Sequence, residues 1–270
     1  MTSKRKQILL TNDDGIGSPG LWAAAEVLSG LGYVTVVAPR LQSSATGRSF
    51  PKFSDGKITL HKKGVNDQNW EVYAVGGTPS QAVLHALLEI LPKKPDLVVS
   101  GINYGENLST DITFSGTVGA AMEAASLGIP SLATSLQILE EDWDTYHEDV
   151  DFHSAAYFTK IFAHLLLYKQ MPQDVDFLNL CVPVTATSKT PWRLTRLAKI
   201  RYFNPYVVRS GMGTWQDKAH ITSHTNVPLD LPRDSDVHMV INEKLVSITP
   251  LSLDLTSRVD FQNLDKLIRD

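Results

Sequence analysis

Three apolar residues, Ile8-Leu9-Leu10, run straight into Thr11, Asn12, Asp13, Asp14 and Gly15. A short apolar run that ends in turn formers reads as a strand buried on both faces, and such strands belong to parallel sheets covered by helices. Gly15 lets the backbone turn, and Pro19 suits the first turn of a following helix. The two aspartates therefore stand at the carboxyl end of a strand, where open α/β sheets bind ligands. Adjacent carboxylates repel each other. Solvent relieves the repulsion if the loop is an ordinary surface turn; a divalent cation relieves it if the loop is a site.

The chain repeats this strand, loop and helix pattern. Leu21, Trp22, Ala25, Val27, Leu28 and Leu31 form an apolar helical stripe, and Gly30 and Gly32 close it. Residues 33–38 make a second buried strand, so the unit is a right-handed parallel crossover. A polar loop follows at 40–51. Residues 57–63 and 70–75 pattern as a hairpin with Gly64 and Asn66 in its turn. Thr78 and Pro79 open a helix that runs to Leu91, as N-cap and first residue. Residues 96–100 form a third core strand, which ends in Gly101-Ile102-Asn103-Tyr104-Gly105-Glu106-Asn107. Ser115-Gly116-Thr117 starts a small-residue helix closed by Gly128, and residues 129–135 pattern as another strand. Beyond about 137 the character changes: an acidic loop at 140–151, a helix at 152–168, strands at 177–182 and 246–249, and a last short helix at 259–268. We divide the chain into a core at 1–137 that carries the site and a part at 138–270 that completes the fold.

Composition excludes several classes. A net charge of -4 leaves no footprint for nucleic acid or an anionic membrane. Cys181 is the single cysteine, which rules out an internal disulfide and a Cys-rich zinc site. The apolar run after Lys4-Arg5-Lys6 is too short for a signal peptide, and no stretch reaches the roughly eighteen apolar residues of a membrane span. A cytoplasmic protein is expected. His220 and His224 have metal-ligand spacing only on a helix, and Ile221 and Thr222 between them favour a strand. No G-x-S-x-G elbow anchors a serine triad. Cys181 sits in an apolar strand and reads as inert core.

Gly15-Ile16-Gly17-Ser18-Pro19-Gly20 matches the dinucleotide fingerprint in the required context. It would, however, set Asp13 and Asp14 beside the pyrophosphate, and the second strand ends in Ala38-Pro39-Arg40 with no acid for the ribose hydroxyls. An NADP- or flavin-dependent oxidoreductase is thus a lesser reading. The stronger one gathers three strand-end loops at one sheet edge, offering Asp13 and Asp14, the hydroxyls around Ser44, and Asn103. An oxygen-only set favours a hard cation such as Mg2+, Mn2+ or Ca2+ over zinc. Gly105 and Ser115-Gly116-Thr117 add backbone N–H groups and hydroxyls at a helix N-terminus, suited to a phosphate. A metal beside a phosphate cradle implies phosphoryl chemistry. A nucleotide-binding module without catalysis uses the same groups and stays open on this reading.

The motifs Ile8-Leu9-Leu10-Thr11-Asn12-Asp13-Asp14-Gly15-Ile16, Val36-Val37-Ala38-Pro39 with Ser44-Ala45-Thr46-Gly47, and Gly77-Thr78-Pro79 resemble the SurE family. So do Pro95 through Leu108, Ser115-Gly116-Thr117-Val118-Gly119-Ala120-Ala121, and Val246 through Leu251. SurE proteins are stationary-phase survival proteins with metal-dependent nucleotidase and phosphatase activity. The resemblance implies a Rossmann-like, mainly parallel α/β sheet with flanking helices, an extended C-terminal β-hairpin and a terminal helix. It implies one Mg2+ or Mn2+ per subunit held by Asp13, Asp14, Ser44 and Asn103, with phosphate at Ser115, Gly116 and Thr117; by their own donors Asn103 and Gly105 are expected to contact the phosphate as well. Asp13, Asp14 and Asn103 are then the catalytic residues, nucleoside 5'- or 3'-monophosphates the substrates, and a homodimer or homotetramer the assembly. The chain departs from the family pattern at Ser43, at 48–53, and at Ser80-Gln81 after the Gly-Thr-Pro motif. None of these touches the metal set.

Overall fold

The computed structural model describes residues 5–139, 150–211 and 213–269; the expected acidic loop lies outside them except for its last two residues. Strand β1 (Lys6–Thr11) lies inside a nine-stranded sheet. It pairs in parallel with β2 (Gly32–Pro39) on one side and with β5 (Leu97–Tyr104) on the other. Beyond β2 come β4 (Gln68–Val75), parallel to it, and β3 (Ile58–Val65), antiparallel to β4. Beyond β5 come β6 (Ser131–Leu136) and β7 (Phe177–Val182), both parallel. The chain leaves β1 toward β2 and later returns to its other side with β5, so the two strands flank a topological switch point.

Alternate residues of β1 enter different cores. Ile8 and Leu10 face the cluster that includes helix α1 (Pro19–Ser29) and helix α4 (His153–Tyr168), while Leu9 faces α2 (Pro79–His85) and α3 (Gly116–Ser126). All three are at most 1% exposed. Truncating such a side chain to alanine costs about 2–5 kcal/mol, so burial on both faces pins the register of β1 and the height of its terminal loop.

The 57–75 hairpin turns through Asn66 and Asp67, both with positive φ, which joins Val65 directly opposite Gln68. The helix expected to reach Leu91 is α-helical only through His85 and continues as a π-helical turn, Ala86–Ile90. Its cap is as expected and better: Gln81 completes a capping box with Thr78, using a residue that departs from the family pattern.

From 177 onward the sheet continues. β11 (Val246–Leu251) pairs antiparallel with β7 and parallel with β8 (Trp192–Leu194). A separate two-stranded ribbon, β9 (Phe203–Arg209) and β10 (Ala219–Thr225), projects from this part. His220 and His224 lie on β10, exposed and in a strand, as their neighbours suggest. Helix α5 (Phe261–Arg269) ends the chain with no buried residue. Among the described residues, no helix is long and apolar enough to cross a membrane.

Candidate active site

The loops after β1 and β2 are stitched together by backbone groups. Ser43 donates its N–H to the Asp13 carbonyl at 2.7 Å, and Ile16 donates to the Pro39 carbonyl at 2.8 Å. Gly15 has φ of +92°, and a Cβ there would sit 3.0 Å from the Leu41 carbonyl carbon, so glycine suits this turn on both counts.

Asp13 is 4% exposed. The hydroxyl of Thr117, at the start of α3, donates to its carboxylate. Gly116 lets that helix end close in: a Cβ there would lie 2.8 Å from Asp13 Cβ and 3.0 Å from Thr46 Oγ1. Burial, followed by the charge of Asp14, pushes the Asp13 carboxyl up to about 7. The hydroxyl and backbone N–H of Thr117 oppose that shift.

Asp14 reaches the neighbouring loop, its Oδ2 accepting the backbone N–H of Tyr104 at 2.9 Å. That loop is shaped by a bulge. Ser100 pairs with Ala133 but Asn103 pairs with Ser135, so β5 holds one more residue than β6 over this span. The extra residue redirects the strand end that carries Asn103. Asn103 donates Nδ2–H to the Gly105 carbonyl at 2.8 Å, and its Oδ1 lies 3.3 Å from the Thr117 hydroxyl.

Ser44 is exposed and accepts from Gln42 Nε2 at 2.9 Å. Its loop is tied to α3. Gly47 donates to the Phe114 carbonyl at 2.8 Å, and Arg48 bonds Glu123 at 2.5 Å and the Ser126 hydroxyl at 2.8 Å.

Asp13, Ser44, Asn103, Gly105 and Ser115 line one cavity of roughly 300 Å3. Thr117, fully buried, directs its donors to Asp13, which leaves Ser115 as the member of the 115–117 trio on the cavity wall. Ser115 Oγ also caps α3 by accepting the Val118 N–H at 3.1 Å. Among the described residues, no lysine, arginine or histidine lines the cavity. A buried carboxylate next in sequence to a second one, in a cavity lined also by hydroxyl and amide oxygens and by Glu106, fits a hard divalent cation by its oxygen-only donor chemistry. Among the described residues no group of three or more His, Cys, Asp or Glu side chains is placed to hold a metal ion, so a cation here would draw on neutral hydroxyl and amide oxygens as well as the aspartates.

Sequence reasoning did not find Phe203 and Ser223, which line the same cavity from the ribbon. They carry no motif, and only the three-dimensional fold brings them to the loops of the first half.

Fold and site define an α/β protein with a covered, mainly parallel sheet and an acid-bearing cavity at the switch point. The family model described as "Survival protein SurE" matches residues 8–204, and the chain belongs to the SurE family. It is 41% identical to the "5'-nucleotidase SurE" of Methanosarcina acetivorans, over 97% of either chain. It is 40% identical to the protein of that name from Thermococcus gammatolerans, covering 97% of this chain and 96% of the relative. Among solved structures it resembles the SurE protein of Aquifex aeolicus, with a TM-score of 0.73 and 32% identity over 98% of this chain and all of that one.

Proposed function

We propose that this chain is a divalent-metal-dependent 5'-nucleotidase, hydrolysing nucleoside 5'-monophosphates to nucleosides and phosphate. The observation that carries this reading is the buried Asp13 carboxylate on the wall of the switch-point cavity, with the charge of Asp14 acting on it although Asp14 itself is not among the lining residues. Relatives named 5'-nucleotidase that match nearly the full chain favour hydrolysis over a binding module or a dinucleotide oxidoreductase.

In this reading Asp13, Asp14, Ser44 and Asn103 would hold one Mg2+ or Mn2+. When bound, the cation supplies Lewis-acid polarisation of the phosphoryl group. The chain does the rest by positioning. The donors of Thr117 favour the ionised form of Asp13, and Tyr104 N–H fixes Asp14 Oδ2. The Ser115 hydroxyl and the N–H groups around Gly105 and at the start of α3 orient the phosphate oxygens and stabilise charge developing on them. Asp13 or Asp14 orients the attacking water or takes its proton. We place the enzyme in the cytoplasm as a homodimer or homotetramer, with the ribbon and α5 supplying the contacts; the exposed apolar residues Tyr206, Val207, Ile221, Phe261 and Leu267 support that assembly.

Phosphate release from a panel of nucleoside monophosphates and p-nitrophenyl phosphate tests the reading, with Mg2+ or Mn2+ and with EDTA. Release from 5'-monophosphates that EDTA stops is expected. Tight AMP binding with no phosphate release under any divalent metal would leave only a binding module.

A further inference from the structure

The cavity is larger than a phosphate group needs, and its outer wall is aromatic. Phe114, Phe203 and Tyr104 line it, together with Ser223 of β10. A volume of roughly 300 Å3 falls at the small end of cavities that enclose whole organic ligands. Among the described residues that line it, there is no cationic side chain to meet a second phosphate or an acidic tail. What the wall offers is ring surface, and ring surface binds flat, uncharged heterocycles by stacking.

The two phenylalanines are held rather than loosely placed. Phe203 donates its backbone N–H to Asp111 Oδ2 at 2.7 Å. Its ring packs edge-on against Tyr202, with centroids 4.7 Å apart. Tyr202 is buried, and its hydroxyl donates to Glu106 Oε1 at 2.8 Å. Glu106 lies three residues beyond Asn103, so the ring is braced from the catalytic loop itself. Phe114 closes the 3-10 turn Ser109–Phe114, whose Thr110 hydroxyl donates to the Ile200 carbonyl at 2.6 Å. Phe114 nevertheless remains 38% exposed, a placement that core packing does not require. The same turn thus anchors the root of the ribbon and presents a ring to the cavity.

We infer that Phe203 and Phe114 form the seat of the nucleobase and set the preference of this enzyme for phosphate esters with a planar heterocyclic leaving group. The inference rests on the nucleotidase reading above, and it assigns the ribbon root a role in substrate selection.

The test compares kcat/KM for AMP with that for ribose 5-phosphate, which keeps the sugar and phosphate but lacks the base. Phe203→Ala should lower the ratio of AMP to ribose 5-phosphate about tenfold, within the range that base–aromatic stacking is worth, with the loss carried by KM. Phe203→Tyr should restore it. Phe203→Leu keeps an apolar side chain of similar bulk without a ring face, and it should resemble the alanine variant even if that variant folds poorly. An unchanged ratio in the leucine variant overturns the seat while leaving the nucleotidase reading intact. Calorimetric titration with adenosine in EDTA provides a readout free of metal and catalysis. Binding that Phe203→Leu weakens supports the seat, and no binding to the parent protein overturns it. Should the parent hydrolyse neither ester, the nucleotidase reading fails and the adenosine titration alone decides the seat.

Discussion

The hydroxyl of Thr117, in the first turn of α3, donates to the carboxylate of Asp13, at the end of β1 and 104 residues away. The helix end and the strand end therefore meet at one buried oxygen, and the protonation of Asp13 is tied to the placement of α3.

Burial of Asp13 beside Asp14 sets a pH dependence in the metal-free protein, which this contact moderates. An ordinary aspartate titrates at 3.8, whereas folded Asp13 is pushed up to about 7. Between these values the folded state holds a proton that the unfolded state has released, so stability falls as pH rises from about 4 to about 7. The melting temperature of chelator-treated protein should decline over that window, and Asp13→Asn should flatten this part of the profile. Protons and cations compete for the same carboxylate. Added Mg2+ or Mn2+ should therefore raise the melting temperature more at pH 7.5 than at pH 5. Calorimetric scans at several pH values check both statements, and a wild-type profile no steeper than that of Asp13→Asn contradicts the first.

Arg48 and Glu123 offer a second handle, because their ion pair joins the Ser44 loop to α3 at 2.5 Å. Glu123 is nearly buried while Arg48 is about a third exposed, so solvent screening discounts the pair to about 1 kcal/mol of stability. Glu123→Gln keeps the shape and removes the charge. The expected result is a small drop in melting temperature and a several-fold rise in the metal concentration giving half-maximal rate, with kcat little changed at saturating metal. A metal titration of activity separates this outcome from a purely structural effect, which would move the melting temperature alone.

Much of the fold around the candidate site was legible in the sequence because its strands are buried on both faces. Ile8, Leu9 and Leu10 form an unbroken apolar run since two cores need them, and the run stops where the loop begins. Thr78 and Pro79 announced their helix through local chemistry alone. The extended hairpin was legible only through the family resemblance; local patterning missed it for the opposite reason. Val207, Val208 and Ile221 are exposed in the described chain, so no alternation toward a core marks β9 or β10. The Thr117–Asp13 bond and the Glu106–Tyr202 bond join residues 104 and 96 positions apart, and no local pattern encodes such distances. The bulge at Ser100–Asn103 was equally hidden, although Gly101 in that motif is where its strand leaves regular pairing.

The tail lends itself to a simple truncation. Residues 254–269 are exposed throughout, and α5 carries Phe261, Leu264, Leu267 and Ile268 on its surface. Leu253 still packs on the core and donates its N–H to Asp176 Oδ2 at 2.6 Å, so a cut after Asp254 preserves that anchor. Removing residues 255–270 should leave the far-ultraviolet spectrum of the core intact and lower the mass measured by light scattering. An unchanged mass would remove α5 from the subunit interface.

Asn103 provides the test that separates metal binding from substrate positioning. One of its side-chain N–H groups is occupied by the Gly105 carbonyl, and its Oδ1 lies 3.3 Å from the Thr117 hydroxyl. The oxygen is thus on the side of Asp13, and the amide nitrogen shapes the loop that carries Gly105 and Glu106. Asn103→Asp retains an oxygen for the cation but adds a third carboxylate and deletes both donors. Metal affinity should hold or rise, because added negative charge attracts the cation. The Gly105 carbonyl would lose its donor and face a carboxylate instead, which pushes the loop away from the geometry that receives phosphate. The same charge repels the incoming phosphate. Together these should lower kcat/KM for a nucleoside monophosphate by a hundredfold or more, roughly the cost of about 2.7 kcal/mol in the transition state. If Asn103 served only as a turn former, aspartate would replace it with little loss. Calorimetric metal titration and steady-state kinetics on the same variant decide the matter: retained metal affinity with collapsed kcat/KM establishes the double role, and near-wild-type turnover refutes it.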